Sequence, residues 1–159
     1  MPVSERGHAL IRKFEGFSSK AYPDPKTGGA PWTYGHGFTT TKAGKSVKPG
    51  DTISFDESVQ RLRIEAEHYC TPLIKKIPPQ HVTQNRLDAA TSFCWNIGVP
   101  KTLNSTFLKR WERGDIEGAA RAMMWWVSPG SNVEEGLRTR RKIESSLFRA
   151  KGPDLVGNY

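Results

Sequence analysis

The chain contains little cysteine: Cys70 and Cys94 are its only two. Each lies on the apolar stripe of a predicted helix, which favours buried, reduced thiols over a disulfide. Neither cysteine has the spacing to further cysteines or histidines that zinc sites show. We therefore expect no metal site, and we expect the protein to work without a cofactor.

The chain also lacks a long hydrophobic run. No apolar segment approaches the roughly 20 residues that a bilayer-spanning helix needs, and residues 1–5, Met-Pro-Val-Ser-Glu, do not begin a secretory signal. Hydrophobic residues make up 36% and charged residues 25% of the 159 residues, which is typical of a folded globular protein and not of a disordered one. We expect a single domain over residues 1–159, folded in a cytoplasm and without stable membrane insertion.

Acidic residues are in deficit. Sixteen Asp and Glu stand against 24 Lys and Arg, which gives a formal net charge of +8. A basic balance indicates polyanionic surroundings such as nucleic acid, anionic lipid or an acidic cell envelope. The charge is spread along the chain except for one cluster at Arg138, Arg140, Arg141 and Lys142. A solvated helix face is the default interpretation of such a cluster.

Helix start and stop signals cover most of the chain. A first helix is predicted from the Ser4 cap to Phe14, with Gly16 at its end, and a capping box at Ser54 and Glu57 starts a second. Further helix signals are Thr83 with Gly98, Ser105 with Gly114, Asp115 at the start of another helix, and the segment Leu137 to Ala150. Phe55 is expected on the inner face of the second helix, and Pro72 is expected to bend or end that helix. Trp111, Trp125 and Trp126 are expected in the core, and the tail from Gly152 is expected to fray.

Residues 17–51 have a different composition, in which Gly, Pro, Thr and Ser dominate. Short β-type pieces at Lys20 to Pro23 and Trp32 to Gly35 are separated by turn residues, which predicts a small, irregular antiparallel sheet. The fold class is therefore α+β with helices predominating. We place a small β lobe at residues 17–52 and a helical part at residues 1–16 and 53–151.

Two carboxylates in contrasting surroundings flank the start of this β region. Glu15 lies among Phe14, Gly16 and Phe17, and apolar surroundings disfavour the charged form of a carboxyl group, as a general acid near neutral pH requires. Asp24 lies between two prolines in a polar loop, where an acid remains ionised. The pair suggests an acid and its partner; a helix-terminal Glu and a turn Asp without chemical function are the alternative from composition alone.

Several short segments follow one another along the chain in a characteristic order and spacing. Any one of them is weak evidence for a family, but together they form a specific pattern. They are Leu10-Ile11-Arg12-Lys13-Phe14-Glu15-Gly16-Phe17, Ala21-Tyr22-Pro23-Asp24, Trp32-Thr33-Tyr34-Gly35, Gln84-Asn85 with Leu87-Asp88-Ala89 and Asn96-Ile97-Gly98, Ser105-Thr106-Phe107-Leu108, and Gly136-Leu137-Arg138-Thr139-Arg140-Arg141. In these segments the chain resembles the phage-type lysozymes (endolysins of glycoside hydrolase family 24) over nearly its whole length.

The resemblance implies a lysozyme-like fold in which a β-hairpin lobe and a larger helical lobe are joined by a long helix, with an active-site cleft between them. It implies cleavage of the β-1,4 bond between N-acetylmuramic acid and N-acetylglucosamine in peptidoglycan. Carried over by position, Glu15 is the general acid, Asp24 stabilises positive charge or activates water, and Thr33 helps Asp24 hold that water. Without the two acids, Thr33 would be an ordinary strand residue.

Other positions are carried over less directly. Trp95, Asn96 and Thr106 fall where relatives line the sugar site, although helix packing explains Trp95 and Asn96 about as well. The order Gly35-His36-Gly37-Phe38 departs from the family's Gly-x-Gly-His, so Phe38 stands at the place of the family's histidine. The family's histidine is therefore not carried over to His36, which stays outside the predicted catalytic set.

The resemblance also implies a cellular setting: a monomer that stays in the host bacterial cytoplasm until a separate holin-type pore releases it to the wall, where it lyses the host. Two alternatives remain open. A lytic transglycosylase would need only the acid Glu and would leave anhydro-muramyl ends. A non-catalytic binder of nucleic acid or cell wall would explain the +8 charge and would bind a duplex in a strongly salt-dependent way; in the enzyme interpretation no nucleic acid is a partner.

Overall fold

Seven α-helices, a 3-10 helix and a two-stranded sheet occupy residues 2–152, the part of the chain that this computed structural model describes. In chain order the elements are α1 (Glu5–Glu15), β1 (Ser18–Tyr22), β2 (Thr33–Gly35), α2 (Phe55–Ile74), the 3-10 helix (Pro79–His81), α3 (Gln84–Ile97), α4 (Val99–Leu103), α5 (Thr106–Glu112), α6 (Ile116–Met123) and α7 (Glu134–Arg149). The mixed α and β class is as predicted from the sequence. The tail that was expected to fray lies, from residue 153 onward, outside the described residues.

The chain divides into two compact units. The hairpin unit is Arg12–Ile64, and the helical unit consists of the described residues up to Ile11 together with those from Glu65 onward. Both divisions fall inside helices, in α1 and in α2. The predicted lobe boundaries, residues 17–52 against the rest, stay a prediction.

In the hairpin unit, β1 and β2 pair antiparallel, with Ser18 opposite Gly35 and Tyr22 opposite Thr33. The register shifts between these two pairs, so the sheet is irregular, as its Gly- and Pro-rich sequence predicts. β1 is also tied to the segment before α2, because the Ile53 amide donates to the Ser19 carbonyl at 2.9 Å. The core of this unit consists of Tyr34, Phe38, Val47, Ile53, Val59 and Leu62.

Side-chain caps start the helices where the sequence predicts them. The hydroxyl oxygens of Ser4, Thr83 and Ser105 accept the amide protons of Gly7, Arg86 and Leu108 at 3.1–3.2 Å. The Asp115 carboxylate accepts that of Gly118 at 3.0 Å. Each bond satisfies an amide that has no partner within the first helical turn, which fixes the starting residue.

Some boundaries differ from the sequence prediction. α2 continues through Pro72 to Ile74, so this proline does not end the helix at its own position. α7 begins at Glu134, three residues before the predicted Leu137. The short α4 was not predicted, because Pro100 and the five-residue length hide it from a periodicity argument.

The core of the helical unit is built around α3, in which Leu87 to Cys94 are all buried and which packs against α7. Four aromatic rings extend this core, with neighbouring centroids 5.0–5.8 Å apart: Phe93, Phe107, Trp111 and Phe148. Cys70 and Cys94 are both buried free thiols and not a disulfide, as predicted. Burial raises the pKa of each thiol to about 11, so both are protonated and unreactive at neutral pH.

Three predictions about burial are wrong. Arg140 and Arg141 do not form a solvated face: they are 5% and 0% exposed, because a buried carboxylate on their own helix pairs with both. Trp125, which follows the end of α6 at Met123, is 57% exposed instead of in the core. Phe55 is 51% exposed, although Val59 and Leu62 on its predicted face are buried. Among the described residues no helix has the length and apolarity to cross a bilayer.

Candidate active site

Glu15 is the last residue of α1, and its side chain is half-buried. The helix ends there because Gly16 adopts φ +69°, a conformation that favours glycine, while its amide still donates to the Arg12 carbonyl at 3.0 Å. A second glycine lies against the carboxylate: a Cβ added to Gly37 would stand 3.2 Å from Glu15 Oε2. The backbone of Gly37 therefore lies close to the Glu15 carboxylate, and a side chain at this position would crowd it.

Asp24 lies two residues after β1, in a turn that its own backbone and side chain close. Its amide donates to the Gly29 carbonyl at 2.9 Å, and its carbonyl accepts from the Gly28 amide at 2.8 Å. The carboxylate oxygen Oδ1 accepts the Lys26 amide proton at 2.8 Å, which is the Asx-type bond that favours Asp at turn starts. The side chain is half-buried and held in a fixed direction.

Thr33 opens β2 and is half-buried. Its partner across the sheet is Tyr22, the last residue of β1, and Asp24 follows two residues later. The strand pairing therefore brings Thr33 and Asp24 to the same end of the hairpin, although eight residues separate them in the sequence. Glu15, Asp24 and Thr33 all belong to the hairpin unit.

His36, which the sequence analysis leaves outside the predicted catalytic set, is 2% exposed in the turn that follows β2. Its backbone amide donates to Ser58 Oγ at 3.0 Å, and its ring Nδ1 lies 2.6 Å from the same oxygen. The ring contacts Phe17 and Phe55, with centroids 5.2 and 5.6 Å away. Ser58 was missed by sequence reasoning, since nothing but its place in the first turns of α2 distinguishes it.

Burial lowers the pKa of His36, and the positive charge of Arg12 lowers it further. Because the folded-state pKa lies below that of the unfolded chain, near 6.5, the unfolded state binds the proton more readily. The stability that neutral His36 contributes is present above pH 6.5 and is lost as pH falls through the folded-state pKa.

We expect the free energy of unfolding to fall between pH 7 and pH 5 more steeply in the parent protein than in His36→Asn. The difference in slope should be at most about 1.4 kcal/mol per pH unit, the value for one proton. Urea titrations at several pH values would measure it. Equal slopes in the two proteins would show that His36 does not titrate differently in the folded state.

The residues predicted to bind sugar belong to the helical unit. Trp95 is half-buried, with its ring centroid 5.1 Å from that of Tyr69. Asn96 is exposed, and its Oδ1 accepts a hydrogen bond from Arg141 Nη2. Thr106 is exposed at the first position of α5. Exposure of Asn96 and Thr106 is compatible with ligand binding, and the role of all three stays a prediction.

In residues 2–152 no group of three or more His, Cys, Asp or Glu side chains is arranged to hold a metal ion.

Comparison with known proteins places these residues in a family. A family model described as "Phage lysozyme" matches residues 12–144, which include Glu15, Asp24 and Thr33. The chain belongs to the phage lysozyme family. The match also covers α3 and most of α7, so family membership extends over both units.

Individual relatives agree with this assignment. The chain is 32% identical over 154 residues to an endolysin of Acyrthosiphon pisum secondary endosymbiont phage 1, covering 94% of this chain and 99% of that protein. It is also 32% identical to an endolysin of Bacillus phage B103, but there it spans only 54% of the relative's length. The solved endolysin from Escherichia coli O157:H7 phage FAHEc1 superposes with a TM-score of 0.84 at 33% identity, covering 96% of each chain. These findings confirm the resemblance, the fold class and the endolysin class predicted from the sequence.

Proposed function

We propose that this phage lysozyme family member is an endolysin muramidase that hydrolyses the β-1,4 bond between N-acetylmuramic acid and N-acetylglucosamine in bacterial peptidoglycan. The observation that carries the proposal is the fixed presentation of Glu15 and Asp24 from one compact unit. Glu15 is held at a helix end against the Gly37 backbone, and Asp24 is held in a hydrogen-bonded turn beside the strand pairing of Thr33. Two carboxylates with separate fixed supports are what glycoside hydrolysis requires.

Each residue has a distinct task in this mechanism. Glu15 donates its proton to the glycosidic oxygen as the bond from that oxygen to the anomeric carbon breaks, and the bonding electron pair stays with the oxygen. Positive charge develops on the sugar, and the Asp24 carboxylate stabilises it or takes a proton from the attacking water. Thr33 helps Asp24 to hold that water. Family resemblance favours inversion at the anomeric carbon.

Substrate binding is assigned to the helical unit. The half-buried face of Trp95 can stack on a pyranose ring, and the exposed Asn96 amide and Thr106 hydroxyl can hydrogen-bond to N-acetyl and hydroxyl groups. In the cell we propose that the protein acts as a monomer without a cofactor. It waits in the host cytoplasm, reaches the wall through a separate holin-type pore, and releases phage progeny by lysis.

Product analysis tests the reaction type. Digestion of purified peptidoglycan in water enriched in oxygen-18 should give muropeptides with free reducing ends that carry one heavy oxygen atom, because water supplies the new hydroxyl group. Mass spectrometry measures both features. Predominantly 1,6-anhydro ends without the heavy isotope would instead establish the lytic transglycosylase reaction. Asp24 with Thr33 favours hydrolysis, since a transglycosylase needs no residue to hold water.

A further inference from the structure

A tight loop of three residues, Gly35, His36 and Gly37, begins at the last residue of β2 and is closed by a reciprocal pair of backbone hydrogen bonds. The Tyr34 amide donates to the Phe38 carbonyl and the Phe38 amide to the Tyr34 carbonyl, each at 2.9 Å. The two glycines have φ of +64° and +95°, which only glycine adopts readily. The loop therefore has one well-defined backbone path, which ends against the Glu15 carboxylate at Gly37.

A single serine on α2 fixes this loop. Ser58 is fully buried, and its hydroxyl has one proton to donate and lone pairs to accept. The oxygen accepts the backbone N–H of His36 at 3.0 Å, and with a neutral ring the hydroxyl proton can be donated to Nδ1 at 2.6 Å. Gly35 lies directly on the same serine, since a Cβ there would stand 2.6 Å from Ser58 Oγ. The Ser58 hydroxyl thus accepts one hydrogen bond from His36 and donates another to it.

The ring of His36 is also enclosed. Phe17 and Phe55 contact it and contact each other, with centroids 5.2 Å apart. Charged groups act on the loop from both helices that contact it. Arg12 on α1 repels a proton on His36, Glu15 lies against Gly37, and Arg61 on α2 stacks on the Phe38 ring at 4.2 Å. Protonation of His36 would make both ring nitrogens donors, so Ser58 would lose Nδ1 as an acceptor.

We propose that His36 and Ser58 are positioning residues for Glu15: the pair fixes the loop of residues 35–37, and the Gly37 backbone in turn fixes the direction of the Glu15 carboxylate. The inference rests on the proposed function, in which Glu15 is the general acid. A general acid must come within about 2.6–3.2 Å of the atom it protonates, and a misplacement of about 1 Å costs roughly 10²-fold in rate. Neither residue touches the reacting atoms in this proposal.

The activity test compares substitutions within the pair with a matched control. Ser58→Ala and His36→Leu remove the hydroxyl or its acceptor, and both should lower kcat about 10- to 100-fold with KM changed less than about twofold. His36→Asn keeps an acceptor that does not titrate, so it should restore most of kcat and lessen the loss of kcat on the acid side that the parent shows. Thr91→Val removes another buried hydroxyl, which donates to the Leu87 carbonyl at 2.7 Å in the helical unit. It should leave kcat unchanged.

The outcomes separate the hypotheses. If Ser58→Ala and Thr91→Val lower the melting temperature alike and both keep the parent's kcat, the pair has a structural role only and the inference is wrong. If the parent protein releases no glycan ends, the proposed function fails instead.

If the variants do not fold, a measurement on the parent protein without substrate still tests the inference. In NMR spectra of the parent protein between pH 8 and pH 5, the Gly37 amide should shift in step with the His36 ring. A Gly37 amide shift that does not follow the His36 titration would overturn the inference, whatever the activity.

Discussion

Glu15→Gln should lower the rate of peptidoglycan cleavage by about 10²- to 10⁴-fold, the usual contribution of general acid catalysis, with little change in stability. Glutamine has nearly the shape of glutamic acid, but its amide cannot give up a proton to the leaving oxygen. The side chain is half-buried at a helix end, so the substitution creates no cavity. Initial rates of reducing-end release, measured beside the urea midpoint of each protein, would test the prediction.

Glu5→Gln is the matched control. Glu5 lies at the other end of the same helix, is exposed, and loses the same charge on substitution. It should keep the parent's rate, so that a loss confined to Glu15→Gln is not an effect of net charge on binding to an acidic wall. Clearing of a peptidoglycan suspension by purified Glu15→Gln at the parent's rate would refute the general-acid role.

The same variant distinguishes an enzyme from a basic binding protein. A non-catalytic binder gains its affinity from the +8 charge, and binding to a nucleic acid duplex would fall steeply with added salt. Substitution of one carboxylate would leave such binding intact. Loss of glycan cleavage in Glu15→Gln, with no salt-dependent duplex binding by the parent, would exclude the binder.

The places of Glu15 and Asp24 in the fold could be predicted because each is tied to a local signal, whereas their proposed catalytic roles came from the family resemblance. Gly16 marks the helix end that carries Glu15, and Asp24 stands at a turn start, where its side chain bonds the backbone two residues on. Ser4, Thr83 and Asp115 likewise indicate where their helices begin, because the side chain of each accepts a hydrogen bond from the backbone amide three residues on. Local hydrogen bonding is readable from sequence because both partners are neighbours in the chain.

The environment of His36 could not be predicted in this way. Its ring is enclosed by Phe17 and Phe55, and its hydrogen bonds go to Ser58, so every partner is 19 or more positions away in the sequence. Whether a turn histidine is buried depends on long-range packing, and a local turn motif carries no information about that packing. Trp125 shows the opposite error: it was expected in the core as a large aromatic residue, but it follows the end of α6 and is exposed.

The sequence did contain a signal for the burial of Arg140 and Arg141 on α7, but the run of basic residues was given more weight. Arg140 and Arg141 precede Glu144 by four and three residues, a spacing that places opposite charges on one helix face. The run of basic residues nevertheless favoured a solvated face, because charged residues are almost never fully buried unless they are paired. The partner that completes the set, Ser92 on α3, is 52 positions from Glu144, and only the packing of α3 on α7 brings it there.

Glu144→Ala should destabilise the protein by about 3–5 kcal/mol, because it removes the buried negative charge that pairs with both Arg140 and Arg141. The fully buried carboxylate accepts from Arg140 Nε at 3.1 Å and from Ser92 Oγ at 2.6 Å, and it pairs with Arg141 Nη1. Burial already lowers the pKa of Arg141, and the Glu144 carboxylate opposes that effect. For a chain of this size, the loss corresponds to a melting temperature lower by roughly 6–20 °C.

Glu112→Ala provides the comparison, since it removes an exposed carboxylate at the end of α5. It should change stability by less than about 0.5 kcal/mol.

Glu144→Ala should also affect the proposed sugar site. Arg141 donates to Asn96 Oδ1 as well, and this bond leaves the amide nitrogen of the exposed Asn96 side chain directed away from the guanidinium. At a temperature where the variant is still folded, we therefore expect a raised KM for glycan fragments. An unchanged melting temperature would show that the two arginines find other partners, and an unchanged KM would separate this charge network from substrate binding.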